Sequence, residues 1–140
     1  TAAVDAACVL AKEAGAKRAM PLAVSAPFHC SLLKPAGERL EAELASVVLG
    51  EMAIPVVTNV TGGIVASVAD VKELLVRQVS QSVRWEACVR TLVDNGVDTF
   101  VEIGPGKVLN GFIKKIAKDA AVYNADDRAS IDATIAALKG

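Results

Sequence analysis

The sequence predicts an α/β domain built around a largely parallel sheet. Segments rich in β-forming residues alternate with segments whose apolar residues recur at helical spacing, the order expected when helices connect parallel strands. The composition fits this class, because 53% of the residues are hydrophobic and only 4% are aromatic. With 140 residues, the chain is long enough for one domain with a substantial core and too short for two large ones.

The predicted elements follow one another along the whole chain. They are a helix over 1–14, a strand over 21–24, a helix over 33–48, a short strand over 54–58, a helix over 70–81, a helix over 85–93, a strand over 97–103, a helix over 108–116, a strand over 120–123 and a last helix over 131–138. The stretch 97–103 is mostly apolar, which is typical of a central strand covered on both faces.

Glycine, proline and serine set the boundaries in the first half. Gly15 and Gly50 follow helical patterns and are predicted to end them. Pro21 and Pro27 exclude the interior of a helix, so the apolar run between them favours a strand that leads into a turn. Ser31 is the predicted N-cap of the next helix.

Capping residues mark the helices of the second half. Asp70 and Glu73 have the spacing of a capping box, while Ser82 and Ser130 are predicted to cap the helices that follow them. Gly62 and the glycine after it predict a turn or hairpin behind the strand over 54–58.

The turn Gly104-Pro-Gly-Lys107 lies between a predicted strand and a helix, where phosphate sites occur. A P-loop needs Ser or Thr after the lysine, whereas Val108 follows here, and Leu109 takes the last glycine position of a dinucleotide motif. We therefore interpret it as a tight turn that packs the helix close to the strand.

Composition also argues against several classes of binding partner and ligand. The longest uncharged run, 52–69, contains proline, asparagine and two glycines, which excludes a membrane-spanning helix. A net charge of −1 without a basic stripe argues against nucleic acid. Three widely spaced cysteines, Cys8, Cys30 and Cys88, indicate reduced thiols in a cytoplasmic protein and neither a metal site nor a metal cofactor.

His29 is the only histidine and lies in an uncharged stretch, at the predicted junction of a strand and a helix. Catalytic groups of α/β enzymes occur at such junctions. A structural histidine is the alternative. A general base should have one ring nitrogen bonded to a backbone carbonyl or to Gln78 and the other facing an open cleft, whereas a core histidine should have both nitrogens bonded.

Gln78 falls in the middle of the apolar stripe of the helix over 70–81. A polar side chain there needs hydrogen bonds, or it costs about 1–3 kcal/mol. A satisfied core glutamine and a functional glutamine both fit this position.

Several motifs together resemble one enzyme family. These are Ser25-Ala-Pro-Phe-His29-Cys-Ser-Leu-Leu-Lys-Pro35, Val76-Arg77-Gln78, Val83-Arg84-Trp85 and Glu102-Ile-Gly-Pro-Gly-Lys-Val-Leu109. In this order and across the whole chain they are similar to the malonyl-CoA:acyl-carrier-protein transacylases. One family motif has no counterpart here: the Gly-His-Ser-x-Gly elbow that carries the nucleophilic serine.

The resemblance implies a division of the chain and a set of roles. Residues 1–26 would end a small ferredoxin-like subdomain, and 27–140 would form the C-terminal part of a hydrolase-like core. His29 would be the catalytic base, with Gln78 beside it holding it, and Phe28 would favour malonyl over branched acyl groups. No cofactor is implied.

The implied partners are malonyl-CoA, acyl carrier protein and the upstream portion of the same enzyme. That portion would supply the serine, the oxyanion donors and the arginine for the malonyl carboxylate, so we expect the chain alone to be inactive. Lys17 and Arg18, an adjacent basic pair, could dock the acidic carrier protein or be an ordinary solvated pair.

Two other functions remain open at this level. The chain could be a non-catalytic module that docks acyl carrier protein and kept the fold without the nucleophile. It could also be a hydrolase that uses Ser31 as nucleophile, although Ser31 is better placed as a helix cap.

Overall fold

The computed structural model describes residues 2–139. The elements are α1 (Ala2–Glu13), a 3₁₀ turn (Ser31–Leu33), α2 (Lys34–Ala45), a second 3₁₀ turn (Val68–Asp70), α3 (Val71–Ser80), α4 (Trp85–Asp94), β1 (Thr99–Ile103), α5 (Val108–Ile116), β2 (Ala121–Ala125) and α6 (Arg128–Lys139). Thr1, where the first predicted helix begins, lies outside the described residues.

The two strands pair in parallel, with Thr99 opposite Ala121 and Ile103 opposite Ala125. Helix α5 connects them, and α6 follows β2. This β–α–β unit confirms the predicted α/β class and the parallel pairing. Within residues 2–139, β1 is not covered on both faces as predicted: Phe100 is buried, but Ile103 is 84% exposed.

Two small apolar cores hold the elements together. One lies between α4, α5 and the strands, where Val89, Phe100 and Ile113 are buried and Trp85 packs against them. The other joins α3 to the segment before it and consists of Val60, Val65 and Leu74, with Met52 and Val71 at its edge. No residue of α1 is buried, and the predicted division at residue 26 stays a prediction.

The strands predicted over 21–24 and 54–58 are wrong. The first segment is irregular, and Leu22 and Val24 are 78% and 64% exposed. In the second, one antiparallel bridge joins Val57 to Ile64 around the predicted glycine turn. β-forming sequence becomes a strand only beside a partner, and nothing else among residues 2–139 pairs with these two segments.

The predicted helix caps are also wrong in detail. Ser31 begins a 3₁₀ turn, α3 begins without a side-chain cap from Asp70, and α4 begins after Arg84 without one from Ser82. Helix α2 ends at Ala45, before Gly50. A 3₁₀ turn precedes α2 and α3, and residues 82–84 before α4 are irregular. Sequence spacing reveals neither feature.

Two glycines of the turn after β1 take left-handed backbone angles, with φ of +122° at Gly104 and +99° at Gly106. The turn is confirmed, and α5 packs against β1 as predicted, with Ile113 beside Phe100. The glycines themselves are not in close contact, because a Cβ at either would have no other atom within 4 Å. Backbone angle, and not close packing, requires glycine here. No helix within residues 2–139 has the length and apolar character needed to cross a bilayer.

Candidate active site

His29 lies in the irregular segment before the first 3₁₀ turn, and its backbone is unusual. Its φ is +58°, the only positive value outside glycine among the described residues. Such angles cost about 1–3 kcal/mol in residues other than glycine and concentrate at functional sites. The thiol of Cys30 donates to the carbonyl of Pro27 across 3.2 Å and closes the turn around the histidine.

One imidazole nitrogen of His29 is held by the main chain of α3. Nδ1 lies 2.9 Å from the carbonyl oxygen of Gln78. A carbonyl can only accept, so Nδ1 carries the proton and the neutral ring has its lone pair on Nε2. Nε2 has no hydrogen-bond partner among residues 2–139, and the residue is exposed. This is the arrangement expected of a general base, and a core histidine would have both nitrogens bonded.

The helix end explains why this carbonyl is available. Gln78 is in the last turn of α3, which ends at Ser80, and the last four carbonyls of a helix lack partners within it. The side chain of Gln78 is half-buried and, among the described residues, its amide makes no hydrogen bond. Gln78 lies beside His29, as the resemblance implies, but the atom that contacts the imidazole belongs to its main chain.

Close packing of α2 on α3 brings the two segments together. Gly37 is buried in α2, and a Cβ at this position would lie 3.4 Å from the carbonyl oxygen of Val76. Because glycine has no side chain, α2 can approach the turn of α3 that precedes Gln78.

His29 opens onto a cleft of about 440 Å³. Cys30 also lines it, and Ser80, Ser82 and Arg84 supply polar groups to its wall. Sequence periodicity missed these three residues, although Arg84 belongs to one of the motifs that carried the resemblance. No carboxylate lines the part of this cleft that the described residues form.

The other predicted site residues lie outside this cleft. Phe28 is 59% exposed and does not line it. Lys17 and Arg18 are exposed, and the guanidinium Nε of Arg18 donates to the sulfur of Met20 across 2.9 Å. Ser31 is exposed at the start of its 3₁₀ turn.

The described chain holds no cluster of metal-ligating side chains. Its cysteines are free thiols. Cys88 is buried in α4, and burial raises the pKa of its thiol, an effect that its backbone hydrogen bond partly opposes. This thiol belongs to the core, and its raised pKa disfavours the reactive thiolate.

The chain is similar to known transacylases in sequence. It is 43% identical over 136 residues to the malonyl CoA-acyl carrier protein transacylase of Bacillus subtilis, which covers 97% of this chain and 43% of the relative. The enzyme of the same name from Haemophilus influenzae is 44% identical over 132 residues, covering 94% of this chain and 42% of the relative. No protein-family model matches the chain.

Solved structures give the same result for the fold. Malonyl CoA-acyl carrier protein transacylase from Clostridium perfringens superposes with a TM-score of 0.90 at 42% identity, covering 98% of this chain and 43% of that one. A malonyl-transacylase in complex with a type II PKS acyl-carrier protein gives 0.89 at 40% identity, covering 98% and 44%. The chain spans a little over two fifths of the length of these relatives, and in sequence and fold it belongs to the malonyl CoA-acyl carrier protein transacylase family.

Proposed function

We propose that this chain is the C-terminal portion of an enzyme that transfers the malonyl group from malonyl-CoA to the phosphopantetheine thiol of acyl carrier protein. The observation that carries the proposal is the 2.9 Å contact between Nδ1 of His29 and the carbonyl of Gln78, which leaves Nε2 free at an open cleft. The family membership supplies the reaction class.

His29 acts as base and then as acid in two half-reactions. Nε2 takes the proton of a serine hydroxyl while the serine oxygen attacks the malonyl thioester, and the imidazolium then protonates the departing thiolate of CoA. In the second half, Nε2 takes the proton of the carrier thiol, which attacks the malonyl ester. The same proton returns to the serine oxygen as the ester bond breaks.

The contact between His29 and the main chain of Gln78 allows Nε2 both to accept a proton and to give it back. Because Nδ1–H is bonded to the Gln78 carbonyl, the neutral ring keeps its lone pair on Nε2, and the ring keeps its direction when Nε2 is protonated. The serine belongs to a segment outside this chain. Residues 1–26 belong to the small subdomain and 27–140 to the large one. Phe28 is exposed outside the described part of the cleft, so it would meet the acyl group only where the absent portion of the enzyme extends that cleft.

Labelled malonyl-CoA tests this proposal. The complete protein should form a covalent malonyl ester on a serine that lies outside these 140 residues, and it should pass the label to acyl carrier protein. The 140-residue chain alone should take up no label. A stable ester on a serine of this chain, such as Ser31, would overturn the assignment of roles.

The same experiment separates the enzyme from the alternative of a non-catalytic docking module. Such a module would bind acyl carrier protein but form no acyl-serine in the complete protein. Loss of the ester in a His29→Ala variant of the complete protein, with retained binding of acyl carrier protein, is the result that supports catalysis.

A further inference from the structure

Arg84 is the only lysine or arginine on the wall of the described part of the cleft. The residue is both exposed and part of the cleft wall, so it lies where the cleft meets solvent. The mechanism above uses His29 and gives Arg84 no role. Val83-Arg84-Trp85 is also a motif that the proposed function leaves unexplained.

The main chain holds Arg84 firmly in place. Its backbone N–H donates to the carbonyl of Asn59 across 2.8 Å, and its carbonyl accepts from the N–H of Cys88 across 3.0 Å. The first bond joins the residue before α4 to the loop that leads to Gly62. The second bond closes the first turn of that helix. The origin of the side chain is therefore fixed relative to the cleft.

The charge of Arg84 has no protein partner in the described chain. Three other arginines, Arg77, Arg90 and Arg128, form i,i+4 ion pairs with carboxylates of their own helices. Arg84 forms none within residues 2–139. The polar residues before it on the cleft wall are Ser80, Gln81 and Ser82, and none of them carries a charge. A guanidinium beside hydroxyl groups and without carboxylates suits an anionic ligand.

We infer that Arg84 binds the phosphate at the end of the pantetheine arm, an inference that rests on the proposed function. Malonyl-CoA and acyl carrier protein share this element: a thiol that reacts at His29 and a phosphate at the far, solvated end of the same arm. One arginine at the rim serves both half-reactions, because each brings a phosphate to the same place while its sulfur lies near Nε2. The phosphate can come from CoA or from the phosphodiester of the carrier.

Direct binding to the complete protein tests the inference without depending on turnover. Calorimetry should show that 4′-phosphopantetheine binds more tightly than pantetheine, and that Arg84→Gln removes this difference. Arg90→Gln is the matched control, because it removes an equal charge from an ion pair of the helix that follows Arg84, at a residue that does not line the described cleft. Equal binding of the two ligands by the unaltered protein would overturn the inference.

Kinetics locate the effect and separate the two phosphate sources. Arg84→Gln should lower kcat/KM for malonyl-CoA about tenfold or more, as expected for losing a hydrogen bond between charged groups, and should leave malonyl-N-acetylcysteamine, which lacks phosphate, unaffected. Raised KM for both malonyl-CoA and the carrier supports a shared site, and an effect on one alone assigns the phosphate to that source. An equal loss on the substrate without phosphate contradicts the inference, since the arginine would then act at the acyl end.

Failure of this inference is distinguishable from failure of the proposed function. If the unaltered protein transfers no malonyl group, the proposed function is wrong whatever Arg84 does. If it transfers malonyl normally and Arg84→Gln behaves like Arg90→Gln in binding and kinetics, only the role of Arg84 is wrong. Arg84→Lys should restore part of the lost affinity, because it restores charge but not the guanidinium fork.

Discussion

Gly62 approaches α4 so closely that a Cβ on it would lie 2.5 Å from the Cβ of Ala87. Its φ of +72° is also in the left-handed region. The hydroxyl of Thr91 donates to the carbonyl of Gly62 across 2.6 Å and fastens the loop to the helix. This contact sets the position of the first turn of α4, where Arg84 joins the wall of the cleft.

Gly62→Ala should destabilise the protein by at least about 2 kcal/mol, the combined effect of overpacking and of an unfavourable backbone angle. Urea denaturation of the complete protein measures the change. Gly50→Ala is the control, because Gly50 has open space around its Cβ position and no positive φ. A Gly62→Ala variant as stable as Gly50→Ala would show that the loop moves away from α4 at little cost.

Asp127 and Ser130 cap α6 for each other. The N–H of Ser130 donates to Oδ1 of Asp127 across 2.7 Å, and the N–H of Asp127 donates to the hydroxyl of Ser130 across 2.9 Å. The cap was predicted at Ser130, but Asp127 is the N-cap and Ser130 is its partner three residues on. The hydrogen bonds from the backbone and the side chain of Ser130 lower the pKa of Asp127.

This cap should make part of the stability pH-dependent. Because the folded pKa lies below the unfolded value of about 3.9, the contribution is complete above that value and is lost as pH falls through the folded pKa. Asp127→Asn keeps a capping side chain without the charge. Urea midpoints should therefore differ between Asp127→Asn and the unaltered protein at pH 7 and converge in strong acid. A constant difference at every pH would rule out a contribution from the charge.

Sequence predicted the second half of the fold well because its elements are local. The strands of the β–α–β unit and α5 lie within 2 residues of their predicted bounds at every end, since each packs against a neighbour close in sequence. The predicted strands over 21–24 and 54–58 failed for the opposite reason. Their apolar residues need partners that the described chain does not provide.

The candidate site was predictable in its residues but not in its atoms. His29 and Gln78 lie 49 residues apart and meet as expected. The left-handed backbone angle of His29 is unusual outside glycine, and no sequence pattern predicts it. The ring is held by a main-chain carbonyl because α3 ends close to Gln78. The ends of helices are the least certain part of a sequence-based assignment, so this contact could not be predicted.

Cys88 should be the last of the three cysteines to react with iodoacetamide. Burial raises the pKa of its thiol and limits access, whereas Cys8 and Cys30 are only half-buried. Mass spectrometry of the native protein after short exposures at pH 8 measures the order. Labelling of Cys88 together with the other two would mean that α4 opens readily. As a control, Cys88 should be fully labelled in urea, where the unfolded chain exposes its thiol.

Lys17 and Arg18 should dock the acidic carrier protein. Both are exposed, and surface charges of this kind mostly change the association rate and its salt dependence. In the complete protein, Lys17→Glu with Arg18→Glu should raise KM for acyl carrier protein and leave loading from malonyl-CoA intact. The control is a second charge-reversed variant, in which the basic pair Lys114 and Lys115 of α5 is replaced by glutamates. Unchanged carrier kinetics and salt dependence in the first variant would exclude the pair from docking.

His29 and Gln78 should respond very differently to side-chain replacement. His29→Ala removes the acid–base group and should lower the rate of malonyl transfer at least about a hundredfold in the complete protein. Gln78→Met keeps the carbonyl that accepts from Nδ1 and replaces only a half-buried amide that bonds to no other described residue. The second variant should therefore lose less than about tenfold, well below the loss expected for an acid–base group.

The tautomer of His29 provides a readout that does not depend on turnover. As the only histidine of this chain, it can be followed by nitrogen NMR in protein labelled only within these 140 residues. The neutral ring should carry its proton on Nδ1 in the unaltered protein and equally in Gln78→Met, because the carbonyl is unchanged. A shift of the proton to Nε2 in Gln78→Met, together with a loss of rate as large as that of His29→Ala, would show that the glutamine side chain holds the imidazole.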